Sequence, residues 1–570
     1  MSSVQRTIDC DVLIIGGGLA GSLAAIEAAK RGVNVVLVDK GRLGRSGSSP
    51  TSGGVPQAAF GHTDPRDNKE IHFKDTITGG EFIPHQGIVR AIVNEVTDRV
   101  IELEEIGLQF KKLNDGKKFY QEKRLGSSFA RSVPPIGGSV RMIGTLRKEV
   151  FNREVNVHQW VMITKLFKEE GRVTSAFGIN VQTGEFILFR AKAMVLAGGS
   201  AIGLQKYTSA NFLTSGDAYL AAFHVGAKLA NLEFLEFTLI PAPKGLPIPM
   251  AGLSPFTSKG GRFFNSLGER FLEKYDPERL ENTTRAIIVG ATYKEMIEGR
   301  GPVYIDPSFI PDEKWDHEVI YEYSPKLTKA GINCRTDKFE WAPALHTFLG
   351  GIFINERCET GIGGLYAAGE SSTGTHGANR LSGNAIASAL VLGARAGRFA
   401  THFALGRRFG GIDEDEIIRE IERIQSFKGE GGINPYQFEA EMREIAWESI
   451  GVVRNEIGLK DGLKKFQEMR TDKITGVKAK DLRSWIKAVE CANLAWVGEM
   501  VSKSALERRE SRGQHNREDY PNRDNENWLK WVIVQEKGNS VVCNIESIPF
   551  GEYELKPPVL ASPSRETSSG

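Results

Sequence analysis

The 570-residue sequence predicts an α/β fold: a Rossmann-like dinucleotide-binding sheet, interrupted by an inserted second domain and followed by a helical domain. Three observations predict it. Residues 10–39 read as strand, glycine turn, helix and strand. Residues 231–345 turn Pro-rich and loop-rich before a sheet pattern resumes at 346. Residues 412–508 are helical in pattern, with alternating charges.

In chain order, residues 10–18 (CDVLIIGGG) form an apolar strand run that ends in glycines. Residues 19–31 make a helix with small residues early, and residues 33–38 (VNVVLV) a second strand ending at Asp39. Residues 41–61, rich in Gly, Ser and Pro, are a loop. Residues 87–110 read as helix. Residues 155–195 read as a small sheet with turn signals EEGR and TGE, ending in the apolar strand AMVLAGG. The inserted stretch opens with PAPKGLPIPMAGLSP and carries a helical segment near 282–298. Residues 346–405 return to sheet, glycine turn and a long Ala-rich helix. Residues 510–555 are polar with some strand, and the tail PPVLASPSRETSSG has a disordered composition.

The net charge of +2 gives no global field for nucleic acid or a membrane surface. Five scattered cysteines, with no C-x-x-C pair, argue against an iron–sulfur cluster or structural zinc held by this chain alone, and fit a reducing compartment. No apolar run reaches the ~18–20 residues of a membrane span, and residues 1–18 carry no leader pattern. The expectation is a cytoplasmic protein without direct membrane insertion, any membrane link running through a partner.

Gly16, Gly18 and Gly21 form G-x-G-x-x-G between a strand and a helix. The first allows the tight turn, the second admits a pyrophosphate, and the third lets helix and strand pack closely. The helix start then offers free N–H groups to phosphate. Asp39, 18 residues past Gly21, stands where an acid accepts ribose hydroxyls. This motif alone does not separate FAD from NAD. The Ser/Gly loop 44–54 (GRSGSSPTSGG), the strand end Ala197-Gly198-Gly199 and the strand end LYAAGE (365–370) together point to FAD.

The segments HTFLGGI (346–352), HGANRLSGNAI (376–386) and ESRGQHNREDYPNRDNENW (510–528) carry a resemblance. The chain resembles the succinate dehydrogenase and fumarate reductase flavoprotein subunits, a family that includes L-aspartate oxidase. The resemblance implies a Rossmann-like FAD-binding domain (1–231 and 346–410), an inserted α+β capping domain (232–345), a C-terminal helical domain (411–508) and a C-terminal segment (509–570). It implies that Arg285, in TTRAIIVG, exchanges the proton, and that His346 and Arg380 hold a substrate carboxylate. An arginine fork suits a carboxylate, and a histidine adds a hydrogen bond. Lys40, Ser46, Ser48, Gly53, Gly54, Val161, Asp217, Glu370 and Arg380 join the cofactor set. Ala385 and Ile386 open a helix beside the flavin ring, where N–H groups stabilise negative charge.

Two departures alter what the resemblance implies. Many members attach FAD through a histidine in an R-S-H-T run; here the run is Arg45-Ser46-Gly47-Ser48, which implies non-covalent FAD. Losing the link lowers the flavin potential and favours substrate reduction, or electron bifurcation to a partner. Thr238 stands where a second substrate histidine is expected, and a Thr-Glu pair some twelve residues later is replaced within MAGLSPF (250–256). A buried carboxylate without a partner is costly, so a monocarboxylate, an ester-like or aromatic acid or another unsaturated compound fits better than plain succinate or fumarate.

The expected function is hydride transfer between FAD and a C–C or C=C bond of a small carboxylate, in a catalytic subunit served by a separate iron–sulfur protein. A stand-alone enzyme like L-aspartate oxidase is the alternative, with adenylylsulfate reductase a distant analogue because it lacks H-G-A-N-R-L. A flavin electron-transfer protein without its own substrate is a third reading, favoured by Thr238 and opposed by the joint presence of Arg285, His346 and Arg380.

Overall fold

The computed structural model describes residues 4–210, 213–250, 254–257, 259–315 and 324–558. The first strands are β1 (Arg6–Ile15), β2 (Val35–Asp39), β3 (Asn156–Gln159), β4 (Val161–Glu169), β5 (Arg172–Asn180) and β6 (Phe186–Leu196). They are followed by β7 (Leu229–Ala230), β8 (Leu235–Pro241), β9 (Arg262–Phe264), β10 (Val303–Asp306), β11 (Phe339–Phe348), β12 (Gly351–Ile352), β13 (Leu365–Ala367), β14 (Lys530–Lys537) and β15 (Ser540–Ser547).

The main sheet has the order β3-β2-β1-β6-β5-β4, with β13 also on β6. β1, β2, β3, β6 and β13 pair in parallel, whereas β4, β5 and β6 pair antiparallel. Parallel strands need apolar runs, and Val12, Leu13 and Ile14 of β1 are fully buried. The segment 155–195, expected as a small sheet of its own, is therefore continuous with the main sheet. β6 pairs with β1 from Arg6↔Ile187 to Ile15↔Leu196, a contact across some 180 residues that turn signals do not reveal.

Helices Leu19–Ala29 and Asn384–Ala404 cross closely over this sheet. A Cβ on Gly393 would meet the Ala20 carbonyl oxygen at 2.4 Å, and one on Gly397 the Ala24 carbonyl oxygen at 2.2 Å. These contacts run in the same order along both helices. The helices are therefore parallel, and both N-termini face the same end of the sheet.

A second, antiparallel sheet, β8-β11-β10-β9, carries helix Arg285–Glu295 against β8 and β11. A third, β12-β7-β14-β15, ties the C-terminal strands to β7. Helices Glu414–Gln425, Pro435–Ser449, Glu456–Thr471 and Leu482–Glu507 form the helical region. Residues between and after them anchor the turn before β8. The Arg508 guanidinium donates to Glu233 at 2.8 Å, and Arg454 donates to the Glu233 carbonyl at 2.7 Å, all of it buried. Of the tail expected to be disordered, 557–570, residues 559–570 lie outside the described residues.

Candidate active site

One cavity opens at the end of the main sheet that the two helix N-termini face. Gly16 turns there with φ +109°, and a Cβ on it would lie 2.3 Å from the Ala197 carbonyl oxygen. Gly21 lies behind the wall, where a Cβ would meet the Gly16 carbonyl oxygen at 1.8 Å. It holds helix against turn, as the motif requires. The helices Leu19–Ala29 and Asn384–Ala404 start at Gly18 and Gly383, neither with a side-chain cap nor an acid in the first turn. Such N-termini are made for phosphate and for negative charge on a ring.

The expected cofactor residues converge on this cavity. Gly16, Gly18, Asp39, Lys40, Ser46, Ser48, Gly53, Gly54, Val161, Ala197, Gly198, Gly199, Asp217, Glu370, Arg380, Ala385 and Ile386 all line it. Asp39 braces the turn itself: Oδ2 accepts from Gly17 N at 2.7 Å, and Oδ1 from Gly41 N at 2.7 Å and Ser46 Oγ at 2.8 Å. The Lys40 ammonium donates to Ser215 Oγ at 2.6 Å and pairs with Asp217 at 2.8 Å and Glu490 at 3.0 Å. Burial works against its charge, but the two carboxylates outweigh burial and hold it above its ordinary value. Burial pushes the Glu370 carboxyl up, although Ser200 Oγ donates to it at 2.6 Å. Gly47 lines the cavity at φ +72°, with no atom within 4 Å of a Cβ built on it. The glycine cradle, the open helix starts and the cavity between them fit FAD.

At the other end of the cavity, His346 sits in β11 at an irregularity between Leu345 and Thr347. Leu345 pairs with Phe237 and Thr347 with Glu236, so His346 has no partner on β8. Such bulges re-aim a side chain, and His346 lines the cavity with Nδ1 2.7 Å from Ser209 Oγ. Arg285 is the first residue of its helix, started by Thr284, whose side chain accepts from Ile287 N. Arg380 lies in the turn before Asn384. Both arginines are buried and both line the cavity.

They meet on one carboxylate. Glu236 of β8, with no exposed surface, accepts a hydrogen bond from Arg285 and, at 2.9 Å, from Arg380 Nε. Burial pushes its carboxyl up, but the charges of Arg380 and Arg285 outweigh burial and hold it down at about 2. His346 and His376 are pushed down to about 3, first by burial and then by the neighbouring arginines, so both imidazoles are neutral at physiological pH.

Thr238 does not line the cavity. Its Oγ1 is buried without a hydrogen-bond partner, one pleat along β8 from Glu236. Residues 251–253 of MAGLSPF lie outside the described residues, whereas Phe256 packs on Trp341. Sequence reasoning missed Glu236, His376, Ser209 and Arg124, the last three on the cavity wall. The available signal for Glu236 was a lone acid in LEFTLIP, a strand buried throughout.

Comparison with known proteins agrees with this geometry. The FAD binding domain model matches residues 11–386, and the fumarate reductase flavoprotein C-term model matches residues 439–559. The chain is 35% identical to an uncharacterised FAD-dependent oxidoreductase of Methanocaldococcus jannaschii, over 92% of this chain and 96% of that one. It is 34% identical to a fumarate reductase (CoM/CoB) subunit of Methanothermobacter marburgensis, over 93% and 97%. The E. coli quinol fumarate reductase FrdA structure superposes with a TM-score of 0.89 at 25% identity, covering 97% of this chain and 99% of that one. The chain belongs to the flavoprotein family of the fumarate reductases and succinate dehydrogenases, and is an FAD-dependent oxidoreductase.

Proposed function

We propose that the protein oxidises or reduces a carbon–carbon bond beside a carboxylate, as the catalytic subunit of a fumarate reductase-like complex whose substrate is not plain fumarate or succinate. FAD, when bound, would supply the hydride chemistry for one carbon of that bond. Arg380 and His346 orient the carboxylate, and an Arg285 N–H gives or takes the proton at the other carbon. One observation carries the reading: Arg285 and Arg380 line the cavity that the helix Asn384–Ala404 opens onto, and converge on a single carboxylate buried behind its wall.

The FAD is held without a covalent bond, because Gly47 has no side chain to form one. Electrons pass to or from a separate iron–sulfur protein in the cytoplasm. The relative from Methanothermobacter marburgensis is itself one subunit of its enzyme, and the C-terminal family model extends to residue 559. Among the described residues no helix is long and apolar enough to cross a membrane, so a membrane link would run through that partner.

The test is anaerobic reoxidation of the reduced holoenzyme by a panel of unsaturated mono- and dicarboxylates, followed by flavin absorbance. The proposal expects at least one acid to restore oxidised flavin within the mixing experiment. A panel in which every acid leaves the flavin reduced contradicts it.

A further inference from the structure

We infer that Glu236 is a built-in counter-ion that makes the site select substrates carrying a single negative charge. The inference rests on the proposed carboxylate chemistry and names the substrate class.

The charges at this end of the cavity are few. Among the described residues, Arg285 and Arg380 are the cations here, and Glu236 touches both. Arg124, also on the wall, is already paired with Glu122 at 2.7 Å. His346 and His376 contribute neutral rings. Glu370 forms no ion pair with either arginine; Ser200 Oγ donates to it, and burial pushes its carboxyl towards the neutral form. Two guanidiniums against one carboxylate leave a single positive charge for a ligand.

Glu236 cannot step aside for a substrate. It lies within β8, paired opposite Thr347 of β11, and it does not itself line the cavity. A substrate carboxylate therefore meets the arginines from the open side and shares them with Glu236. One ligand charge completes the balance. A second would sit in a buried cavity without a partner, which is costly. Among the described residues of the wall the other cations, Lys40 and Arg124, are already paired, and Thr238, at the position expected to hold a second histidine, is a neutral side chain off the wall. The class that fits is an α,β-unsaturated monocarboxylate whose far end is uncharged: an ester, amide, alkyl or aryl group.

Fumarate and monomethyl fumarate differ by one charge and one methyl group. In each, hydride and a proton add across the double bond, giving the saturated acid and oxidised flavin. The experiment reads the half-saturating concentration of each acid in anaerobic reoxidation of the reduced holoenzyme, for the natural protein and for Glu236→Gln. The natural protein should saturate at a lower concentration of monomethyl fumarate than of fumarate. Glu236→Gln, which restores a second positive charge, should move that ratio towards fumarate by on the order of ten- to a hundredfold. A damaged fold would weaken both acids alike and leave the ratio where it was; that result overturns the inference. So does a natural protein that prefers fumarate, a measurement that needs no variant. If no acid reoxidises the flavin, the proposed function itself fails. If acids do so but in the reverse order, only the counter-ion fails.

Discussion

The two ends of the cavity are made of different material. The cofactor end is mostly backbone: the Gly16 turn, the strand end at Ala197-Gly198-Gly199 and two open helix starts. The end proposed for substrate is side chains brought from distant segments: Arg285, His346 and Arg380 around Glu236. A backbone site depends on where a Cβ can and cannot be placed. A side-chain site depends on charge balance, and removing one member leaves another buried and unpaired.

The largest effect should come from breaking the backbone end. In Gly21→Ala the new methyl group would overlap the Gly16 carbonyl oxygen. The turn must shift, and the purified protein should contain no FAD by absorbance; full flavin content would contradict the close packing. Acid precipitation of the natural protein should release all of its flavin into the supernatant, because Gly47 offers no side chain for attachment. Yellow colour retained in the pellet would overturn that reading.

The side-chain end should show itself through pH. His346 and His376 have folded values near 3 against an ordinary 6.5, so unfolded chains bind protons that the folded protein refuses. Their contribution to stability is complete above about 6.5 and is lost as the pH falls towards about 3. Glu236, depressed from 4.5 to about 2, adds a loss below about 4.5. In thermal melts between pH 3 and 7, His346→Asn should flatten the acid decline. The pH profile of reoxidation should also lack a histidine limb between pH 5 and 8; a limb that disappears in His346→Asn would contradict the neutral imidazole. The smallest effect belongs to Thr238→Val. It removes a buried hydroxyl without a partner and should stabilise the fold by about 1 kcal/mol in denaturant titration. Turnover should be unchanged, since Thr238 is off the wall; a large change in half-saturation would place it in the site after all.

The same contrast explains what was legible in the sequence. Glycine turns, strand ends and helix starts are local, so Gly16, Gly21, Gly198 and Ala385 can be read in order along the chain. The pairing of β6 with β1 cannot, because the partners lie some 180 residues apart. The position of Asp39 suggests ribose, but not that its oxygens also accept from Gly17, Gly41 and Ser46. Glu236 is hidden because Leu-Glu-Phe-Leu-Glu-Phe repeats every three residues, so no period-2 pattern marks which of its acids is buried. Packing buries both of its acids: Glu233 against Arg508, and Glu236 against two arginines, from the helix Arg285–Glu295 and the turn before Asn384. Motif matching finds the cations of such a site more readily than the anion that balances them.

Arg285→Ala tests the separation of the two ends most directly, with FAD content and the single-turnover reoxidation rate measured on the same sample. Full flavin occupancy is predicted, with reoxidation by the best acid slowed on the order of 10²–10⁴-fold. An unchanged rate, or loss of flavin together with activity, would contradict it.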